Sequence, residues 1–166
     1  MSKNRFILTL LLLTATLQGK AQVTLKATAG VGNMEHLSTG VGISIANTHS
    51  ISLLFGSNCF IKTNKFSSYL MQYDVQVNRW QVLNTTPRIG IKGGYAIYTN
   101  DYYRWKLLQV IPFVGLSYPL SSRLDLFTDG GVAISRELSE ERVAFGEIGR
   151  YKKYLPEVKV GVTYHF

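Results

Sequence analysis

The sequence predicts an all-β fold: an eight-stranded, antiparallel, up-and-down transmembrane β-barrel behind a cleaved signal peptide. Three observations predict it. The N-terminus is basic and then apolar, eight later segments carry apolar residues at every second position, and charged residues fill the opposite face of those segments.

The N-terminal element reads MSKNRFILTLLLLTATLQGKAQ, in which Lys3 and Arg5 lead into an apolar run from Phe6 to about Leu17 that closes on Gly19-Lys20-Ala21. Such a run falls short of the roughly 20 apolar residues a membrane-crossing helix needs. Small residues at its end suit export and cleavage. Residues 1–21 are therefore read as a signal peptide and 22–166 as one outer-membrane β-barrel domain. The formal charge of +8 falls to +5 when Lys3, Arg5 and Lys20 leave with the signal. That excess suits an anionic membrane surface, and no nucleic acid is expected as a partner. The one cysteine, Cys59, cannot form an internal disulfide and lies far from the cleavage site, so neither a covalent staple nor a lipid attachment there is expected.

Period-two alternation marks each strand, because successive side chains of an extended chain point to opposite faces. The first apolar face is Val23, Leu25, Ala27, Ala29 and Val31; the second is Val41, Ile43 and Ile45; the third is Ile51, Leu53 and Phe55. Tyr69, Met71, Tyr73, Val75 and Val77 form the fourth, and Ile89, Ile91, Tyr95 and Ile97 the fifth. The sixth runs Leu108, Val110, Pro112, Val114, Leu116 and Tyr118, and the seventh Leu124, Leu126, Val132 and Ile134. The last, and clearest, is Val158, Val160, Val162, Tyr164 and Phe166. An even number of strands lets the sheet close with no unpaired edge in lipid.

The opposite faces carry Thr24, Lys26, Thr28, Gln72, Asp74, Gln76, Arg88, Lys92, Asp125, Asp129 and Lys159. A soluble barrel turns its apolar face inward; here the charges must be inside, where a narrow lumen forces them to compensate one another. Lys26, Asp74, Arg88, Lys92, Asp125, Asp129 and Lys159 are the expected lumen charge network. Phe113 and Phe127 are expected beside them.

With both termini on the periplasmic side, the connections 46–50, 83–87 and 119–122 are expected as short periplasmic turns. Those around 32–38, 62–67, 98–104 and 135–154 are expected as outer loops. Two readings stand for RELSEERVAFGEIGRYKKY: a short amphipathic helix over the mouth, or a hairpin extension of strands seven and eight. Aromatic belts at the lipid headgroups are expected from Phe60, Phe66, Tyr69, Tyr98, Tyr102, Tyr103, Trp105, Tyr151 and Tyr154 outside, and from Trp80, Tyr118, Tyr164 and Phe166 below.

The terminal strand VKVGVTYHF, with Val158, Val160, Val162 and Tyr164 alternating toward Phe166, resembles the C-terminal signal recognised by the outer-membrane barrel assembly machinery. With GLSYPLSSRLDLFTDGG before the last hairpin, the chain resembles the small outer-membrane β-barrel proteins similar to the transmembrane domain of outer membrane protein A. The resemblance implies a bacterial outer-membrane location and that machinery as a partner during insertion. No peptidoglycan-binding segment follows Phe166, so cell-wall tethering is not expected.

For function, the residues point to a structural, surface-binding or complex-accessory role alongside other outer-membrane proteins. Outer-membrane lipid and lipopolysaccharide are the expected ligands, and Lys62, Lys65, Arg104, Arg150, Lys152 and Lys153 the expected lipopolysaccharide contacts, since cations in outer loops can hold phosphates. Lys106, Arg136 and Arg142 lie in the same predicted loops, and Glu137, Glu140, Glu141 and Glu147 offset them. A narrow pore is the alternative. An enzyme is not expected. Some barrels of this size modify lipid A with a paired His and Ser, but Asn47-Thr48-His49-Ser50 reads as a polar turn, and neither His36 beside Glu35 nor His165 has metal-ligand company. No cofactor or metal is expected.

Overall fold

Alternating polar and apolar residues meet the demands of a closed sheet in the computed structural model, which describes residues 23–33, 37–58, 65–81, 83–144 and 152–166. The proposed signal peptide, His36, Cys59, Phe60, Lys62, Arg150 and Tyr151 lie outside the described residues. Eight strands follow in chain order: β1 (Val23–Gly32), β2 (Leu37–Ile45), β3 (His49–Ser57), β4 (Lys65–Gln76), β5 (Thr86–Thr99), β6 (Tyr103–Pro119), β7 (Leu124–Arg142) and β8 (Tyr154–His165). Each pairs antiparallel with its sequence neighbours, and β8 returns to β1 through Lys159–His165 against Lys26–Gly32. The barrel is closed.

All eight predicted apolar faces point outward. Val41, Leu53, Met71 and Val114 are each 60% exposed or more, whereas Asp74 and Lys92 on the opposite parity are 1% and 0% exposed. The core of the protein is thus its lumen, which takes in the charged side chains while the outer wall is apolar, the reverse of a soluble barrel and the pattern of a lipid-spanning one.

The connections depart from their expected lengths. Ala46 and Asn47 take positive φ values of 53° and 51°, and the Thr48 amide donates to the Ile45 carbonyl at 3.1 Å, so a tight turn over 46–48 suffices between β2 and β3. His49 and Ser50 therefore open β3 and are not turn residues. The β4–β5 connection is longer than expected, covering 77–85, and Thr86 and Pro87 belong to β5. At the other end, the expected 98–104 loop shrinks to 100–102 because the Asn100 side chain accepts from the Tyr102 and Tyr103 amides at 3.0 and 2.7 Å.

Of the two readings for 135–154, neither is what the described residues adopt. β7 continues as strand to Arg142, paired with β6 as far as Tyr103, while its pairing with β8 reaches only Ile134 opposite Tyr154. The extension is therefore an elongation of the β6–β7 pair at the end away from its connecting turn. A register shift between Lys106 and Leu107 leaves Leu138 as the extra residue of a bulge, which raises local twist where the wall leaves the barrel.

Inward glycines create the space for large inward side chains. A Cβ on Gly90 would lie 2.6 Å from Phe113 Cζ and 2.8 Å from Asp74 Cβ; one on Gly161 would lie 2.6 Å from Phe127 Cζ.

Candidate functional site

Moving along the lumen from the loop end, the first layer is aromatic. Phe66, Ala96, Tyr103, Trp105 and Leu107 are buried together with Tyr98 against them. Trp105 stacks on Tyr98 at 5.5 Å and on Tyr103 at 5.4 Å. Phe66, Tyr103 and Trp105 are consequently not part of a lipid-facing belt: parity sends them inward, where their rings fill the mouth. Tyr69 and Tyr154 do face outward. Beneath the aromatic layer, Leu54, Leu70, Ile111 and Ala133 pack with Leu155 in a second apolar layer.

The charges follow. Glu157 Oε1 accepts from Lys92 Nζ at 2.8 Å, and the same ammonium lies 3.8 Å from Asp129 Oδ2. Arg88 Nε approaches Asp129 Oδ1 at 3.2 Å, and its Nη2 lies 4.0 Å from Asp74 Oδ1. Lys26 Nζ closes the chain of ion pairs 3.8 Å from Asp74, which also accepts from Gln72 Nε2 at 2.7 Å. The Arg88 guanidinium rests over the rings of Phe113 and Phe127 at 5.4 and 4.9 Å, and Lys92 lies 4.9 Å from the Phe113 centroid. Lys159 is also buried, opposite Asp129 in the β7–β8 register. Among the described residues, the buried cations Lys26, Arg88, Lys92 and Lys159 thus face the buried carboxylates Asp74, Asp129 and Glu157. Such an assembly fills this part of the lumen with paired charges and leaves little charge uncompensated.

Asp125 stands apart. It meets His165 Nε2 at 3.0 Å in a polar vestibule at the turn end, a cavity of about 460 Å³ lined also by Thr24, Ser44, Gln76 and Arg123. Glu157 and Gln72 were missed as network members, although Glu157 shares the parity of Lys159 on the same strand. That parity was the available signal.

His49 and Ser50 point to opposite sides of β3: Ser50 is buried, while His49 Nδ1 bonds the Tyr73 hydroxyl on the outer wall at 2.8 Å. They form no dyad. Among the described residues, no group of three potential metal ligands occurs.

Val158, Val160, Val162 and Tyr164 line the outer face of β8. Phe166 follows, its amide bonded to the Leu25 carbonyl at 3.0 Å and its ring edge-on to Tyr164 at 5.0 Å. Of the expected lipopolysaccharide contacts, Lys65 and Arg104 lie in strands and not in loops, Lys65 at the start of β4 opposite Thr99 and Arg104 in β6 opposite Glu141. Lys152 and Lys153 immediately precede β8, with Lys153 Nζ 5.5 Å from the Tyr154 ring centroid. Lys106, Arg136 and Arg142 are likewise strand residues; Lys106 and Arg136 share the outward parity, and Arg142 pairs with inward Tyr103.

No family model matches the chain, and no curated protein is similar to it in sequence. Among solved structures, it is similar to Neisserial surface protein A, with a TM-score of 0.52, 14% identity, and coverage of 89% of this chain and 99% of that one. It is also similar to a major outer membrane protein from Thermus thermophilus, with a TM-score of 0.50, 14% identity, and coverage of 89% and 100%. At that level of identity the likeness speaks for architecture alone: the chain has the fold of the small eight-stranded outer-membrane β-barrels.

Proposed function

We propose that the chain is an integral barrel of a bacterial outer membrane, sealed along its axis, with a structural, surface-binding or complex-accessory role exerted through its wall and loop end. The observation that carries this reading is the ion-paired lumen inside an apolar wall, capped by Phe66, Tyr103 and Trp105. A side-chain-filled eight-stranded barrel has no free passage. The narrow-pore reading would require both the aromatic layer and the charge network to rearrange.

Val23 and Phe166, the first and last described residues, lie at the end of the β2–β3, β4–β5 and β6–β7 connections, which this reading assigns to the periplasm. Outer-membrane lipid and lipopolysaccharide are the proposed surroundings, with Lys62, Lys65, Arg104, Arg150, Lys152 and Lys153 toward lipopolysaccharide phosphates. The barrel assembly machinery is proposed to act on β8, and other outer-membrane proteins are the candidates for an accessory role. The test is purification in mild detergent from native membranes, followed by sizing and planar-bilayer recording. Detergent-dependent extraction without conductance supports the proposal, and co-purifying proteins would favour the accessory role. A chain free of membranes, or one giving steady currents, overturns it.

A further inference from the structure

The lipid-facing wall is not uniform. Gly93 in β5 has outward parity, and a Cβ added there would find only the Gln109 carbonyl oxygen, at 3.9 Å. Around this missing side chain lies an apolar groove of about 790 Å³, walled by Val41, Leu53, Tyr69, Met71, Tyr95 and Leu108. Leu108 is also the last apolar residue before a change of character on β6. The next two outward positions toward the loop end are Lys106, opposite Ile97, and Arg104, opposite Thr99, which in turn pairs with Lys65 of β4. All three cations are exposed. Glu141 faces Arg104 on the same outer side, so Lys65 and Lys106 carry the excess positive charge.

Spacing ties groove and cations together. Lys106 aligns four residues beyond Gly93 on β5, and Lys65 and Arg104 align six beyond it. At about 3.3 Å per residue these are about 13 and 20 Å along the strand. Those separations match a lipid with its acyl chain in the groove and its headgroup at the basic end.

Resting on the membrane-barrel reading, we propose that the β2–β6 wall is a binding site for a phosphorylated lipid, with an acyl chain over Gly93 and the phosphate held by Lys106, Lys65 and Arg104. An aliphatic chain matches the groove, and an anionic headgroup complements the cations at its end. A free anion would use only the cations, and a neutral lipid only the groove. The two features on one wall select a ligand that has both.

Native mass spectrometry of the intact barrel in mild detergent tests this with phosphatidic acid, diacylglycerol and inorganic phosphate as probes. Phosphatidic acid is expected to bind at least tenfold more tightly than diacylglycerol, with inorganic phosphate neither binding nor competing. Lys106→Gln should weaken phosphatidic acid about fivefold, since a basic residue near a membrane surface is worth about that factor. Lys65→Gln/Arg104→Gln/Lys106→Gln should reduce it to the diacylglycerol level. Gly93→Leu should weaken both phosphatidic acid and diacylglycerol by filling the groove, whereas Gly130→Leu, also in open space but away from these cations, should leave both as in wild type. Wild-type binding by Gly93→Leu or by the triple variant overturns the site, as does full competition by inorganic phosphate. Membrane fractionation run alongside separates the two claims: an unembedded chain overturns the barrel reading, and an embedded chain without lipid preference overturns this site alone.

Discussion

Neutralising a lumen carboxylate should cost much more than neutralising a lumen cation. Among the described residues four buried cations share three buried carboxylates, so Glu157→Gln widens the imbalance while Lys26→Met removes it. The Lys92–Glu157 contact is 2.8 Å and the Lys26–Asp74 contact 3.8 Å. At an effective dielectric of about 20 their gross attractions are about 6 and about 4 kcal/mol. The amide introduced by Glu157→Gln would still accept a hydrogen bond from Lys92, and Asp129 would still lie 3.8 Å from that ammonium, so part of the larger figure survives. The net loss for Glu157→Gln should be about 3 kcal/mol, the lower end for breaking a buried pair. Removing Lys26 relieves its own desolvation cost, several kcal/mol for a buried ion. Asp74 also keeps Gln72 and Arg88, so Lys26→Met should fall within about 1 kcal/mol of wild type. Urea unfolding of barrels refolded into lipid vesicles, read through buried Trp105, measures both. Equal losses, or a larger loss for Lys26→Met, would refute the idea that the lumen is dry enough for charge balance to matter.

Three further outcomes are expected. Leu53→Arg should lower stability in bilayers by about 2–4 kcal/mol if Leu53 faces the hydrocarbon; an unchanged unfolding curve would argue that this wall is not in lipid. Gly90→Val should destabilise by at least about 2 kcal/mol, because the new side chain collides with the Phe113 ring and the Tyr73 carbonyl; wild-type stability would show that the lumen yields more than its packing implies. Trp105→Ala should leave bilayer conductance at background, since the Leu54–Leu70–Ile111 layer and the ion pairs still block the axis; a current would make the aromatic layer the sole seal.

The parity of apolar residues was enough to locate all eight strands and to put Lys26, Asp74, Arg88, Lys92 and Asp129 on the inner wall, because a two-faced strand writes its environment directly into alternate positions. The same parity already placed Phe66 with Gln72 and Asp74, and Trp105 with Gln109 and Phe113, on the inner face. Expecting aromatic belts at strand ends overrode it. What alternation could not convey was pairing across the lumen. Lys92 and Glu157 are 65 residues apart, and which cation meets which carboxylate depends on strand tilt and side-chain reach. Nor did composition reveal that β7 lengthens against β6 and not β8, since the bulge at Lys106–Leu107 and the cap by Asn100 are properties of the paired chains. The outer-wall cations Lys106 and Arg136 looked like loop residues for the same reason.

The β1–β8 ladder is the clasp of a hoop. Every other pairing joins strands adjacent in the chain, but Thr28 and Thr163, whose hydroxyls meet at 3.3 Å, are 135 residues apart. Bringing such distant segments together carries an ordering cost that a hairpin escapes, on the order of 4 kcal/mol for a flexible chain of that length. The ladder that must offset it is stitched partly by Ala27, Ala29, Gly30 and Gly161, which contribute little beyond backbone hydrogen bonds. The clasp should therefore fasten last and loosen first. Half of it is β8, the strand whose outer face carries Val158, Val160, Val162 and Tyr164. Anything that grips the β8 edge also holds the hoop open, so letting go of that strand and sealing the cylinder become a single event.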